Sequence, residues 1–332
     1  MDDIELFHNY MTSTAATLED ENRFWSEGIP RLGFQHPGVL SLVLALSSYH
    51  LIKTRPFDAP RFFTLAERHM TVALPSATTL VQSLDPENGP ALYVTAMLVC
   101  FTAFAKGPYP GNMLLVADHD QVPWLSLLRG VRLVVTKIGW PCIFSGALAP
   151  YFPGKGDEKN NSKDAKTMNP ASTELLPGEI EDWRSSLSKI SILIDGHEEQ
   201  EVRDAYAHDY EGLLRCYEST FTTRSHAKLD VEGKMQVIFS WIYQLDDPFV
   251  DGLGQNDPIA LLMLAHFCVL LQTLSRYWFL EGWASHILGE ILRSSPACRE
   301  GSSWPMKYVK ERKGPTPTSG RVEYVAPSTH ET

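Results

Sequence analysis

Residues 36–51 read HPGVLSLVLALSSYHL, and this stretch decides the fold class. It is apolar on nearly every side of a helix, which is typical of a helix buried on all its faces. A membrane-spanning helix needs about 18 or more uninterrupted apolar residues. This run is shorter, and it contains three serines, Tyr49 and His50. We therefore predict a buried helix over residues 38–52, opened by Pro37, a residue that fits the first turn of a helix.

Helical periodicity continues along most of the chain, whereas alternating β patterns are almost absent. Residues 91–105 predict a second helix that is apolar all round, and 259–292 form the longest apolar helical stretch, with a kink at Gly282. The remaining predicted helices cover 4–20, 58–84 (one helix or a pair, with a break at Pro75), 118–138, 180–194, 197–223 and 230–245, and a loop is predicted over 246–258. These patterns predict an all-α fold.

The predicted domain organisation is one large helical domain over residues 1–310. Residues 153–178 are polar, charged and poor in aromatic residues, so they are predicted to be a disordered insertion. The apolar helices on either side are too apolar to be solvated separately, which favours a shared core. Residues 311–332 are predicted to be a flexible tail.

The overall charge and the cysteines exclude several classes of protein. Of the 332 residues, 44% are hydrophobic and 21% are charged, and the net charge is −11. No dense Lys/Arg run is present, so direct DNA binding by this chain is not expected. The acidic N-terminus does not resemble a secretory signal, which predicts a cytoplasmic or nuclear protein with no membrane span. The five cysteines are scattered without C-x-x-C spacing, which excludes a zinc finger or zinc cluster built from them.

Two acidic stretches resemble metal sites. DDPFVD, at 246–251, is similar to the aspartate-rich Mg²⁺ motif of class I terpene synthases, but its aspartate spacing is one residue too long and Pro248 should end a helix there. HEEQEVRDAYAHDYE, at 197–211, places Asp204 and His208 one turn apart without an evident third ligand. We therefore predict an acidic loop and a solvated helix face, and no metal site.

No nucleotide-binding, nucleophile-elbow or H-E-x-x-H motif is present, so no cofactor is predicted. Instead, polar and aromatic residues occur inside the apolar helices. A few such groups among apolar walls are typical of a pocket for an apolar ligand. We therefore predict an apolar internal pocket that binds a lipophilic small molecule. Its predicted lining residues are Leu44, Ser47, Tyr93, Met97, Phe104, Gln272, Trp278 and Trp283.

Three landmarks resemble the C-terminal regulatory domain of fungal zinc-cluster transcription factors, most closely the sterol uptake control family. They are His36-Pro37 opening a helix, the W-x-x-L-L-R-G run at 124–130, and Ala265-His266 followed by the aromatic stretch to Trp283. The resemblance covers roughly residues 4–145 and 180–310. It implies an all-α fold with a pocket for sterol-like lipids, whose occupancy controls nuclear entry and transcription. In that family a six-cysteine zinc cluster precedes this domain, and the cysteines here cannot form one.

Three functions fit these observations. The favoured hypothesis is a cofactor-free cyclisation or isomerisation of a terpenoid or polyene, of the pericyclic, Diels–Alder type, in fungal secondary metabolism. Such a reaction needs a folded substrate and one or two hydrogen-bond donors, for which His266, Tyr243, Tyr277 and Arg276 are the candidates. The alternatives are a transcriptional regulator of sterol or secondary-metabolite genes that acts through a DNA-binding partner, and a lipid carrier. A homodimer is a further possibility for assembly.

Overall fold

The computed structural model describes residues 1–18, 20, 23–83, 86–108, 111, 113, 124–151, 183–221 and 233–311. These residues form helices and no β-strand, which confirms the predicted all-α class. The α-helices are α1 Asp2–Asn9, α2 Ile29–Gln35, α3 Pro37–Thr54, α4 Ala59–Ser83, α5 Gly89–Lys106, α6 Trp124–Ile138, α7 Trp140–Ile143, α8 Trp183–Asp195, α9 Gln200–Phe221, α10 Met235–Gln244, α11 Asp247–Gly254, α12 Pro258–Gln272, α13 Trp283–Ser294 and α14 Ser303–Glu311. The predicted insertion 153–178 and the predicted tail beyond residue 311 lie outside the described residues.

Helix α3 is the centre of the N-terminal half. Pro37 occupies its first turn, where a missing backbone N–H costs no helical hydrogen bond. The helix is buried along almost its whole length and packs against α1, α2, α4 and α5. This all-round burial explains why its sequence is apolar on every side.

Helix α12 has the same role in the C-terminal half. Its N-terminus is capped by Asp257, whose Oδ1 accepts hydrogen bonds from the backbone N–H groups of Ile259 and Ala260 at 2.9 and 3.0 Å. The helix packs against α8, α9, α11, α13 and α14. One connected apolar core extends from Tyr10 to Val309 and includes residues of both halves.

Three predictions about individual elements were wrong. Helix α4 continues through Pro75, which lies on an exposed face where water can bond the carbonyl that has lost its donor. The loop predicted over 246–258 contains α11, because Pro248 lies in the first turn of that helix and is tolerated there. The stretch predicted as a continuous helix over 4–20 is α-helical only to Asn9; it continues as a π-helix, Tyr10–Thr14, and a 3₁₀-helix, Ala15–Leu18.

The long apolar stretch 259–292 is also interrupted. Helix α12 ends at Gln272, a short 3₁₀-helix covers Trp278–Leu280, and α13 begins at Trp283. The expected irregularity at Gly282 is present as a left-handed residue with φ of +84°, directly before α13. Glycine adopts this conformation without the steric cost that a Cβ atom would add.

Helix α5 is long and apolar enough to cross a membrane, and so is the bent pair formed by α11 and α12. In α5, 61% of the residues are buried inside the protein. Buried core helices of globular proteins share this length and composition, so the prediction of no membrane span stays a prediction.

Candidate functional site

A buried polar network lies where the N-terminal segment crosses α3. The Asn9 amide donates to Ser47 Oγ at 2.9 Å and to Thr14 Oγ1 at 3.1 Å. Thr14 Oγ1 and His50 Nδ1 are 2.9 Å apart, and Ser47 Oγ donates to the Leu6 carbonyl at 2.7 Å. Each of these polar groups therefore has a partner in an otherwise apolar region, as buried polar groups require.

Trp278 closes this network on the side of the α12–α13 connection. Its indole N–H donates to Thr17 Oγ1 at 3.0 Å, and its ring lies 4.9 Å from the His50 ring with an interplanar angle of 32°. Burial lowers the pKa of His50, because the charged imidazolium loses its hydration. We call this region, formed by residues 9–18, 47–50 and 273–282, the N-terminal seam.

An aromatic cluster lies behind the seam. The Phe279 ring contacts Trp278 at 5.6 Å and Phe101 at 5.2 Å between ring centroids. Phe104 packs edge-on against Trp283 at 5.8 Å, and its carbonyl accepts a hydrogen bond from the Trp283 indole at 3.1 Å. These rings occupy the space between α5 and α13. The described residues do not show the predicted apolar internal pocket.

The residues predicted as catalytic do not lie together in one site. Both ring nitrogens of His266 are occupied, Nε2 by Ser186 Oγ and Nδ1 by the Leu262 carbonyl, each at 2.8 Å. Its ring also stacks on Trp304, with centroids 6.0 Å apart. These contacts place His266 among α8, α12 and α14, and they are typical of a core histidine whose hydrogen bonds are satisfied.

The other three predicted donors belong to two arginine–tyrosine pairs, one of which includes Arg132. The exposed Arg276 guanidinium donates to Tyr277 Oη at 2.9 Å, and the buried Tyr277 ring packs against Phe279 of the aromatic cluster. The Tyr243 ring lies beneath the Arg132 guanidinium at 5.7 Å, and burial raises the pKa of its phenol. The reaction predicted for these residues stays a hypothesis.

The predicted lining residues also lie in several different regions of the structure. Four of them belong to the seam or the aromatic cluster: Ser47, Phe104, Trp278 and Trp283. Leu44 packs in a small cluster with Leu6 and Phe62, and Met97 is half-buried against the main core. Tyr93 contacts Trp140 at 5.6 Å, and Gln272 is the half-buried last residue of α12.

Sequence reasoning missed Thr14 and Thr17 as site residues. Thr14 lies at helical spacing from Ile4, Phe7 and Met11, and a polar residue on this otherwise apolar face of the predicted helix 4–20 is the signal that could have found it. The hydrogen bonds to His50 and Trp278 depend on π- and 3₁₀-helical turns, which shift the register of the side chains.

A second feature is an open depression of about 250 Å³ between α9 and α10. It is lined by polar and apolar groups, among them Arg215, Cys216, Ser240 and Trp241. Its mixed lining does not match the apolar pocket predicted from the sequence.

Comparison with known proteins identifies the relatives of this chain. It is 23% identical to Sterol uptake control protein 2 of Candida albicans over 306 residues, which cover 84% of this chain and 38% of the relative. The chain is similar to fungal zinc-cluster transcription factors. A Zn(2)-C6 fungal-type transcription factor of Gibberella zeae is 22% identical over 325 residues, covering 91% of this chain and 59% of the relative.

The same similarity extends to baker's yeast. Sterol uptake control protein 2 of Saccharomyces cerevisiae is 24% identical over 145 residues, which cover 42% of this chain and 15% of that protein. No family model matches the chain. The part aligned with this chain is less than two thirds of the full length of each of these three relatives. The resemblance predicted from the sequence landmarks is confirmed.

Proposed function

We propose that this chain is a regulatory domain of the kind found in fungal zinc-cluster transcription factors, and that it binds a sterol-like lipid at the N-terminal seam. The observation that carries the proposal is the alignment of 84% of the chain with a sterol uptake control protein. The resemblance implies that lipid occupancy controls transcription, through a DNA-binding partner or a DNA-binding region. The proposal places the protein inside the cell, in the cytoplasm or the nucleus.

The chemistry of the seam supports this choice of site. A sterol combines a rigid apolar body with one hydroxyl group, so its site needs apolar walls and a small polar locus. The α3 groups of the network, Ser47 Oγ and His50 Nδ1, provide such a locus, since each already exchanges a hydrogen bond with a polar group of the N-terminal segment. The half-buried Trp278 and the adjacent Phe279 provide flat apolar surfaces.

The irregular backbone gives the lipid a route of entry. Residues 10–18 form π- and 3₁₀-helical turns, whose hydrogen bonds have poorer geometry than those of an α-helix. Opening this segment also takes the buried side chains of Tyr10, Ala15 and Leu18 out of the core, so the apolar body of the lipid would have to replace their contacts. Because aromatic side chains occupy the space between α5 and α13, we propose that the lipid displaces this segment and occupies its place beside α3.

Displacement of this segment couples the site to α1. Helix α1 precedes the π-helix directly, and it is attached to α4 by exposed ion pairs, including Arg61 with Glu5 at 2.7 Å and Arg68 with Asp3 at 2.7 Å. Exposed ion pairs contribute little net stability. These ion pairs therefore add little to the cost of moving α1, whereas release of the buried Leu6 from α3 and α4 is the main cost that lipid binding would have to offset. Motion of α1 is the output that we propose.

Sterol binding can be measured by energy transfer from tryptophan to dehydroergosterol, a fluorescent sterol. We expect saturable transfer with one sterol per chain. Trp278→Ala should weaken binding about tenfold, which corresponds to roughly 1.4 kcal/mol. Trp140→Ala is the matched control, because Trp140 is 45% exposed and lies on α7; its affinity should be unchanged.

Two results would contradict the proposal: no saturable transfer, or equal affinity of both variants and the unaltered chain. The same incubations, repeated with linear terpenoids and polyenes and analysed by mass spectrometry, test the catalytic alternative. Recovery of every lipid unchanged supports a binding domain, whereas conversion to an isomer would favour the predicted cyclase or isomerase.

A further inference from the structure

The structure brings together two acidic stretches that lie far apart in the sequence. His208 and Asp209 are consecutive residues of α9, and Asp246 lies in the connection between α10 and α11. His208 Nδ1 is 2.9 Å from Asp246 Oδ2 and 3.7 Å from Asp209 Oδ1. The three ligand-type atoms all lie within 4.8 Å of one another. We call these three residues the α9–α11 cluster.

Asp209 is the unusual member of the cluster. Its side chain is only 2% exposed, yet within the described part of the chain its only ion-pair partner is His208. Its two carboxylate oxygens share a single backbone N–H, that of Asp246, at 3.3 Å each. A buried carboxylate is normally paired with a cation or bound to a metal, and this one lacks a full complement of partners.

The scaffold around Asp209 holds it in a fixed position. Its backbone carbonyl accepts a hydrogen bond from the Trp241 indole at 2.8 Å. The Trp241 ring in turn stacks on Phe267 of the buried helix α12, with centroids 4.8 Å apart and an interplanar angle of 29°. His208 and Asp246 are 52% and 43% exposed, so the cluster has one rigid buried donor and two donors open to solvent.

We propose that the α9–α11 cluster binds one Zn²⁺ ion through His208 Nδ1 and one carboxylate oxygen each of Asp209 and Asp246. Ligand atoms about 2.0–2.2 Å from a tetrahedral Zn²⁺ lie roughly 3.4 Å from one another. The separations from His208 Nδ1, 2.9 Å to Asp246 and 3.7 Å to Asp209, fall on either side of this value. Three protein ligands leave a fourth position for water or for a further group.

The donor set favours Zn²⁺ over the hard divalent cations. Mg²⁺ and Ca²⁺ prefer sites made wholly of oxygen, whereas imidazole nitrogen suits Zn²⁺ and its neighbours in the first transition row. A bound ion would replace the proton between His208 and Asp246 and would neutralise the buried Asp209 carboxylate. The ion would join α9 to the start of α11. Its binding does not depend on lipid binding at the N-terminal seam.

The test is calorimetric titration of the chelator-treated full chain with ZnCl₂, together with Co²⁺ titration followed by visible absorption. We expect one equivalent of tightly bound Zn²⁺ and a Co²⁺ spectrum with bands typical of four-coordinate cobalt. His208→Gln and Asp246→Asn change exposed side chains and should fold normally; each should weaken Zn²⁺ binding at least about tenfold. Asp204→Asn, on the exposed face of the same helix, is the matched control and should bind as the unaltered chain does.

Two outcomes overturn the proposal. One is the absence of a Zn²⁺ equivalent bound by the unaltered chain. The other is binding that His208→Gln and Asp246→Asn leave within twofold of the unaltered affinity, which would assign the ion to another of the histidines or cysteines. Loss of the four-coordinate Co²⁺ bands in both variants, and not in Asp204→Asn, supports the proposal.

Discussion

Replacing the buried Asp209 by asparagine should change how the stability of the protein depends on pH. Burial raises the pKa of this carboxyl from 3.8 to about 7 in the folded protein. A carboxyl whose pKa is higher in the folded than in the unfolded state favours folding below about pH 4, and this contribution is lost as the pH rises through about 7. The rise corresponds to roughly 4 kcal/mol. Asparagine carries no charge, so the variant does not lose this stability.

The assay is urea unfolding of both proteins between pH 4.5 and 8, with EDTA present so that no metal contributes. The free energy of unfolding of Asp209→Asn, minus that of the unaltered chain, should rise by about 2–4 kcal/mol across this range. Asp204→Asn, which changes an exposed carboxyl on the same helix, should give a difference that stays constant with pH. A constant difference for Asp209→Asn as well would refute the reasoning, because it would mean that Asp209 is ionised at no extra cost.

Two further predictions concern a core tryptophan and the glycine that precedes α13, and both are tested by urea or thermal unfolding. Trp283→Ala should cost about 3–5 kcal/mol, because Trp283 is 1% exposed and packs on Phe104, whereas the exposed Trp140→Ala should cost less than about 1 kcal/mol. Gly282→Ala should destabilise by about 1–2 kcal/mol, since its φ of +84° is unfavourable for a residue with a Cβ atom. Gly289→Ala, on the exposed face of α13 with open space around it, should stabilise by up to about 1 kcal/mol. Equal effects of the two glycine changes, or of the two tryptophan changes, would contradict these assignments.

The all-α class could be predicted from the sequence, because a helix that is buried on all sides has apolar residues on all its faces. Helices α3 and α5 were predicted because their sequences are apolar on all sides, and α12 is the first part of the apolar stretch 259–292 that was predicted to be helical. The break after α12 and the helix α11 were not predicted. Their positions depend on tertiary contacts and on the first-turn tolerance of Pro248, which outweighs its usual effect as a helix breaker.

The candidate sites were harder to predict, because they combine residues that are distant in the sequence. Ser47 was predicted as a lining residue, whereas its partner Asn9 was not, since only the packing of α1 on α3 brings them together. In the same way, His208 and Asp246 were each weighed with sequence neighbours, 197–211 and 246–251, and not with one another. Periodicity assigns residues to a helix face, but it does not specify which two faces meet.

The most direct test of the account is photolabelling of the full chain with a sterol that carries a photoreactive group on its apolar body, followed by mass spectrometric mapping. If the N-terminal seam binds the sterol, the label should appear in peptides that contain residues 9–18, 47–50 and 273–282, and excess unlabelled sterol should abolish it. Label confined to other peptides, or label in the seam that excess sterol does not displace, would contradict the proposal that this region is the lipid site.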